Sequence, residues 1–260
     1  MQRPKIGLAL GSGGSKGFAH VGVLKVFEDE NIPIDMIAGS SMGGLAAALY
    51  GVGHTYESMY KMAVNFKRQY FMDFIIPKMG FISGKKITSL LKTITHCKTF
   101  QEARVPLKIV ATDLIKGERV TFGEGYLYEA VRASISIPGI LVPVKSKGKI
   151  LVDGGVIDRL PISVVKSMGA DIVIAVDVAT FNGESQVSSI FDVILQSIDI
   201  MQEEIVRHQE LHADVIIRPP VNQFNSKAFT NMKEIIKIGE ETARQQLPLI
   251  YKSIESWKER

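Results

Sequence analysis

Ser41 lies in Gly39-Ser40-Ser41-Met42-Gly43, a G-x-S-x-G run set between the apolar stretch Ile34-Asp35-Met36-Ile37-Ala38 and the helix-like Leu45-Ala46-Ala47-Ala48-Leu49. In that setting the pattern describes a sharp strand-to-helix turn that lifts a serine hydroxyl clear of a sheet. Small flanking residues are needed because side chains there would collide with the adjoining elements. The start of the helix adds free N–H groups and partial positive charge beside the hydroxyl. The chemistry so arranged is nucleophilic. A second cluster, Gly11-Ser12-Gly13-Gly14-Ser15-Lys16-Gly17, sits at another strand-to-helix joint. Consecutive glycines there can aim backbone amides into one concavity that binds an anion or stabilises a developing oxyanion. Its spacing fits neither G-x-G-x-x-G, since Lys16 stands where the third glycine belongs, nor G-x-x-x-x-G-K-[ST], which disfavours nucleotide binding.

A serine nucleophile needs a base. None of the five histidines has the late, loop-after-strand position of an α/β-hydrolase triad. His20 falls on the first helix beside the glycine loop, where helix packing is its alternative role. His54 follows the helix after Ser41, and His96, His208 and His212 occupy polar or helical stretches. Asp153 is better placed: it ends the strand-like Ile150-Leu151-Val152 and is followed by Gly154-Gly155, which permit close backbone approach. Ligands of open α/β sheets sit just beyond the carboxyl ends of the strands, where Ser41 also belongs. An unperturbed aspartate has a pKa near 3.9, about three units below a base matched to neutral pH, a handicap of about 4 kcal/mol. Two oxyanion donors at about 3–4 kcal/mol each could offset it, and desolvation would raise the proton affinity of the carboxylate.

The elements that must position these groups are legible as an alternation. Short β-type runs at Ile6–Leu10, Met36–Ala38, Leu107–Thr112, Ile150–Val152, Ile172–Val178 and Val215–Ile217 are separated by helical patterns. This predicts an α/β fold of three layers, α/β/α, around a mostly parallel central sheet. Helices are expected over Lys16–Glu30, from Pro161 toward Met168 with Gly169 as the stop, from about Ser189 to His212, and from about Asn231 to Trp257 with Pro248 kinking or breaking the last. The segment Thr180–Ser185 reads as a loop. With 260 residues, 46% of them hydrophobic, and no linker rich in Gly, Ser or Pro, a single domain over residues 1–260 is expected.

Other chemistries lack support. A net charge of +4, with the basic residues scattered, makes nucleic acid a poor partner. The one cysteine, Cys97, carries no nucleophile signature around it and excludes an intrachain disulfide framework. No HExxH, Cys-x-x-Cys or EF-hand pattern implies a metal, and no cofactor is called for. The apolar run Ile6–Leu10 is too short for a secretory signal, and nothing approaches the ~18 apolar residues of a membrane span. A cytoplasmic location follows as the expectation, with peripheral membrane contact left open.

Four blocks together, "GSGGSKG", "GSSMGG", "ASISIPGILVPV" (Ala133–Val144) and "DGGVIDRLP", resemble in kind and order the patatin-like phospholipase family, particularly its small bacterial members. The match spans residues 6 to about 178. The resemblance implies an acyl hydrolase with a Ser-Asp dyad: Ser41 attacks an acyl carbonyl, Asp153 takes its proton, and backbone amides of the loop Gly11, Gly13 and Gly14, chiefly the latter two, form the oxyanion hole. Fatty-acyl esters of phospholipids or lysophospholipids would be the substrates. A lipid-binding or regulatory protein on the same scaffold is the alternative. The chain departs from the family pattern at Ser12, which interrupts the glycine run, at Lys16, where many relatives have arginine, and at Asp158, where asparagine is frequent. The head group and the oligomeric state are left open.

Between Lys67 and Ile87, apolar residues from Tyr70 to Ile82 are bracketed by Lys67, Arg68, Lys78, Lys85 and Lys86. Such a segment suits a lipid interface, a lid over an acyl pocket, or core packing. The run Lys145–Lys149 reads as a solvated hairpin turn.

Overall fold

The computed structural model describes residues 3–259 apart from 68, 70–71, 77–78, 180–189 and 226–228. β1 (Ile6–Leu10) passes through a 3-10 turn (Gly14–Phe18) into α1 (Ala19–Asp29). β2 (Met36–Ser40) passes into α2 (Met42–Val52), and α3 (Tyr56–Val64) follows. Next come β3 (Gly80–Ile82), α4 (Lys85–Ile94), β4 (Leu107–Asp113), β5 (Glu118–Phe122), α5 (Leu127–Ser134), β6 (Gly139–Leu141) and β7 (Val144–Ser146). The remainder is β8 (Lys149–Asp153), α6 (Ile162–Ser167), β9 (Ile172–Val176), α7 (Ile190–Gln209), β10 (Val215–Ile217) and α8 (Met232–Lys258).

β10, β9, β1, β2 and β4 lie side by side, all parallel. Their side chains alternate between two helical layers, as the period of two along a strand requires. Ile6, Leu8, Leu10, Ile37, Ile109 and Ile174 face a large core that includes residues of α1, α2, α5 and α8. Ala9, Met36, Ala38, Val110, Val173 and Ala175 face a smaller one built with Ile162, Val164 and Val165 of α6 and Val206 of α7. Burial on both faces is why these strands read as near-continuous apolar runs. α8 returns to the first layer and lies against α1, where Gly22 and Gly239 permit contact: a Cβ on either would stand 2.0 or 2.2 Å from a carbonyl oxygen of the other helix.

β4 is longer than β2, and that difference builds the site. β5 occupies one edge of β4. β2 occupies the other edge only as far as Ser40, opposite Val110, and from Ala111 onward that edge is taken by β8, running antiparallel. The two strands therefore meet carboxyl end to carboxyl end, with Ser40 opposite Val110 and Asp153 opposite the next residue, Ala111. Asp153 ends its strand as expected, and the acid is brought level with the serine by a strand coming from the opposite direction.

Four strands went unread. β3, β6 and β7 have three residues each, and β5, Glu118-Arg119-Val120-Thr121-Phe122, is exposed or half-buried throughout. β7 and β8 form the expected hairpin through Lys147 (φ 47°) and Gly148 (φ 77°), a two-residue turn with both residues at positive φ. α8 continues through Pro248 as one helix, so of the kink or break expected there the break does not occur. Pro248 is on the exposed side, so the hydrogen bond it removes can be replaced by water, while Ile250 beyond it is fully buried and keeps the helix docked. The loop expected at Thr180–Ser185 lies outside the described residues.

Candidate active site

Ser41 adopts φ 51°, ψ −119° at the N-cap of α2. Left-handed backbone is costly for a serine, about 1–3 kcal/mol, and persists only where the surroundings impose it. Here they do. Its N–H donates to Ser134 Oγ at 2.8 Å and its carbonyl accepts from Leu45 N at 3.0 Å. The flanking glycines are sterically obligatory: a Cβ on Gly39 would stand 2.3 Å from Gly43 O, and one on Gly43 would stand 2.1 Å from Leu10 O. The turn thus presses α2 against two strands and leaves the hydroxyl as the group that projects.

That hydroxyl donates to Asp153 Oδ2 at 2.6 Å. The other carboxylate oxygen, Oδ1, accepts from Gly155 N at 2.7 Å, and the backbone of Asp153 is held twice, by Thr112 Oγ1 on its carbonyl (2.8 Å) and by Ser136 O on its N–H (3.0 Å). Both side chains are buried, at 6% exposure each. Burial pushes the Asp153 carboxyl up to about 7; the hydrogen bonds from Ser41 and Gly155 pull the other way, and the charge of Asp199 adds to the rise. Most of the three-unit handicap computed from the bare sequence is thereby removed.

The glycine loop passes alongside. Gly11 N–H donates to Val176 O at 3.0 Å and Ser12 N–H to Arg159 O at 2.9 Å. The assignment of Gly11 as an oxyanion donor is therefore corrected: its amide anchors the loop to β9. The N–H groups of Gly13 and Gly14, at the start of the 3-10 turn, have no backbone acceptor among the described residues, as the orphan amides of a helix start do not. Ser12 is buried and donates its hydroxyl to Ser40 Oγ at 3.1 Å. Lys16 is partly buried, and that burial lowers its pKa, with Asp199 opposing.

His20 makes no hydrogen bond to Ser41 or Asp153 among the described residues. It is fully buried, its Nε2 binds Gly11 O at 2.8 Å, and burial lowers its pKa to about 4, so it remains neutral and braces the glycine loop. His54 is paired with Ser58 Oγ and Ile94 O and stacks near His96, with ring centres 5.2 Å apart. His212 and Cys97 are exposed, and the side chain of His208 lies outside the described residues.

Several contributors had no assigned role in the sequence. Ser134 and Ser136, both inside the "ASISIP" block, hold the Ser41 amide and the Asp153 amide respectively, so one tripeptide at the end of α5 fixes both groups. Arg159 is buried against Asp177 (3.1 Å) and Glu203 of α7 (3.3 Å), and it donates to Ala179 O. Gln202 of α7 donates to Val156 O. Asp158, a departure from the family pattern, is buried and paired with Arg119 at 2.7 Å.

Ser41 and Asp153 lie at the polar end of a cavity of about 800 Å³. Phe18, Leu45, Met59, Leu91, Ile137 and Phe229 are among its apolar lining, and Lys16, Asp199 and Gln202 stand at the polar end with the dyad. Such a space fits a long apolar chain presenting a polar junction to the serine. Within the Lys67–Ile87 segment, Phe74, Ile75, Ile76, Met79 and Phe81 are exposed, while Ile82 is buried and Ile87 packs against the large core. Arg68, Tyr70, Phe71 and Lys78 lie outside the described residues.

A model of the patatin-like phospholipase family matches residues 8–166. Among curated proteins, an uncharacterized NTE family protein of Mycobacterium tuberculosis is 35% identical over 176 residues, covering 66% of this chain and 49% of the relative. Lysophospholipase nte1 of Emericella nidulans is 27% identical over 271 residues, covering 90% of this chain and 17% of the relative. The chain thus spans about half the length of the mycobacterial relative and far less of the fungal one. Among solved structures, VipD from Legionella pneumophila superposes with a TM-score of 0.61 at 13% identity over 95% of this chain and 67% of that one. ExoU from Pseudomonas aeruginosa gives 0.51 at 16% over 97% and 53%. The fold is shared with both, and the chain belongs to the patatin-like phospholipase family.

Proposed function

We propose that this chain is a serine acyl hydrolase that cleaves fatty-acyl esters of phospholipids or lysophospholipids through an acyl-Ser41 intermediate. The observation that carries the reading is the 2.6 Å hydrogen bond from Ser41 Oγ to a buried, proton-seeking Asp153 at the polar end of an apolar cavity. Asp153 Oδ2 takes the hydroxyl proton as Oγ attacks the acyl carbonyl. The oxyanion that forms is met by the N–H groups of Gly13 and Gly14 and by the positive end of α2. Collapse breaks the ester bond, and Asp153 returns the proton to the departing alcohol. Water then enters, Asp153 accepts its proton as the hydroxide attacks the acyl-serine, and collapse breaks the bond to Ser41 Oγ, which takes that proton back from Asp153, so that the fatty acid is released and both Ser41 and the Asp153 carboxylate are restored. The name lysophospholipase carried by the fungal relatives favours a single-chain lipid as substrate.

Fluorophosphonate labelling, with the modified peptide located by mass, is expected to fall on Ser41, and the protein is expected to hydrolyse a short-chain nitrophenyl ester. Ser41→Ala abolishes both. Turnover by a folded Ser41→Ala chain, or labelling elsewhere only, would overturn the assignment. Because the base form of Asp153 is required, kcat/KM is expected to rise with pH through an apparent pKa of about 7.

A further inference from the structure

Residues 72–76 and 79–83 are the two described arms of a small flap whose base is fixed. Ile75 N–H donates to Phe81 O and Ser83 N–H to Asp73 O, both at 3.0 Å. The Asp73 carboxylate receives the Ser83 hydroxyl and the N–H groups of Gly84, Lys85 and Lys86. Arg132, buried in α5, donates to Ser83 O and Val142 O. Above this base the flap turns its apolar side chains outward: Phe74 is 69% exposed and Ile76 88%, with Ile75, Met79 and Phe81 at 41–42%. Other large apolar side chains are exposed elsewhere, on α7 among them, but these five are gathered within eight residues of one loop, and a cluster of exposed apolar groups marks a docking site.

Two features select the occupant. The rim is basic: Lys67, Lys85 and Lys86 are exposed and in no ion pair among the described residues, and the one acid between Lys67 and Ile87, Asp73, is consumed by capping α4. The patch is also continuous with the cavity, since Phe74 and Phe81 belong both to the exposed surface and to the lining of the space that ends at Ser41. From these we infer that the flap is a docking surface for a bilayer containing anionic phospholipid. Phe74, Ile75, Ile76, Met79 and Phe81 enter the acyl boundary while the lysines meet phosphate head groups. An acyl chain leaving the bilayer over Phe74 and Phe81 then reaches the serine along an apolar path.

Docking would serve the hydrolase reading, yet it is measurable in a chain that turns nothing over. Ser41→Ala protein is to be co-sedimented with vesicles of phosphatidylcholine alone and of phosphatidylcholine with a quarter phosphatidylglycerol. Tighter binding to the anionic vesicles, weakened by salt, is expected. Lys85→Glu with Lys86→Glu should weaken it by about thirtyfold or more, and Ile76→Asp by about tenfold. In the background that keeps Ser41, both changes should leave hydrolysis of a short soluble nitrophenyl ester unaltered. The proposal fails if neither change alters vesicle affinity. It fails equally if the protein is a dimer that Ile76→Asp dissociates with vesicle binding intact, which would make the patch a self-interface. Loss of esterase activity in Ser41→Ala with vesicle binding unaffected by the patch changes would sink the docking alone and leave the hydrolase standing.

Discussion

The turn at Ser41 and the flap at Phe74 both contribute to the lining of the same cavity, but they are built in opposite ways. Around Ser41 the backbone N–H and C=O, the hydroxyl and the facing carboxylate are each committed to a named partner, and the glycines leave no room for a methyl group. The flap is secured at its base by the bonds to Asp73 and leaves Phe74, Ile75, Ile76, Met79 and Phe81 exposed to solvent. Reacting atoms must be held to within fractions of an ångström, whereas a surface that meets a fluid partner needs composition more than position. One region is specified by sterics, the other by polarity.

The sharpest way to break this contrast is Gly43→Ala. Its Cβ would press on Leu10 O at 2.1 Å, a backbone atom with nowhere to move, so a loss of several kcal/mol in stability is expected from overpacking alone, read as a large fall in the urea midpoint or as insoluble protein. Near-native stability would mean that the turn is looser than its geometry.

Asp153→Asn probes the energetic cost of function. The native carboxyl keeps its proton up to about pH 7, while the unfolded chain releases it near 3.9. The native state therefore binds the extra proton between those values, and stability falls as pH rises through the window. Removing the charge should stabilise the fold at pH 8 by on the order of 4 kcal/mol, less whatever the hydrogen bonds to Ser41 and Gly155 return, with the gain vanishing near pH 4. Esterase activity should be lost. Equal urea midpoints for the two proteins at pH 8 would show that the buried acid is not under strain.

At the small end, Ile76→Ser should change stability by no more than about 0.5 kcal/mol, because an exposed side chain with no core contact contributes little. A larger loss would show that the flap tip packs against something after all.

How much of this was legible beforehand follows the same division. The parallel strands announced themselves because burial on both faces leaves no polar positions to blur the pattern, and Ser41 and Asp153 stood out because glycines mark tight joints. The direction of β8 could not be read, since nothing in Lys149–Asp153 distinguishes a strand laid parallel from one laid antiparallel. Gly11 could not be told from Gly13 and Gly14, because which amides a loop spends on neighbouring strands is decided by residues some 165 positions away, at Val176. Ser134 and Ser136 sat within a recognised block, but a serine that holds a backbone looks in sequence like any other small polar residue. His20 drew notice as chemistry and proved to be scaffolding: its depth, not its identity, decides its role.

The head-on meeting of β2 and β8 along one edge of β4 makes length a heritable quantity in its own right. One residue added between Ile150 and Asp153 would turn the carboxylate through the sheet to its other side, leaving Ser41 and Asp153 both present in the gene and out of each other's reach. Across descendants of such a chain, the lettering of that stretch can drift while its count stays frozen.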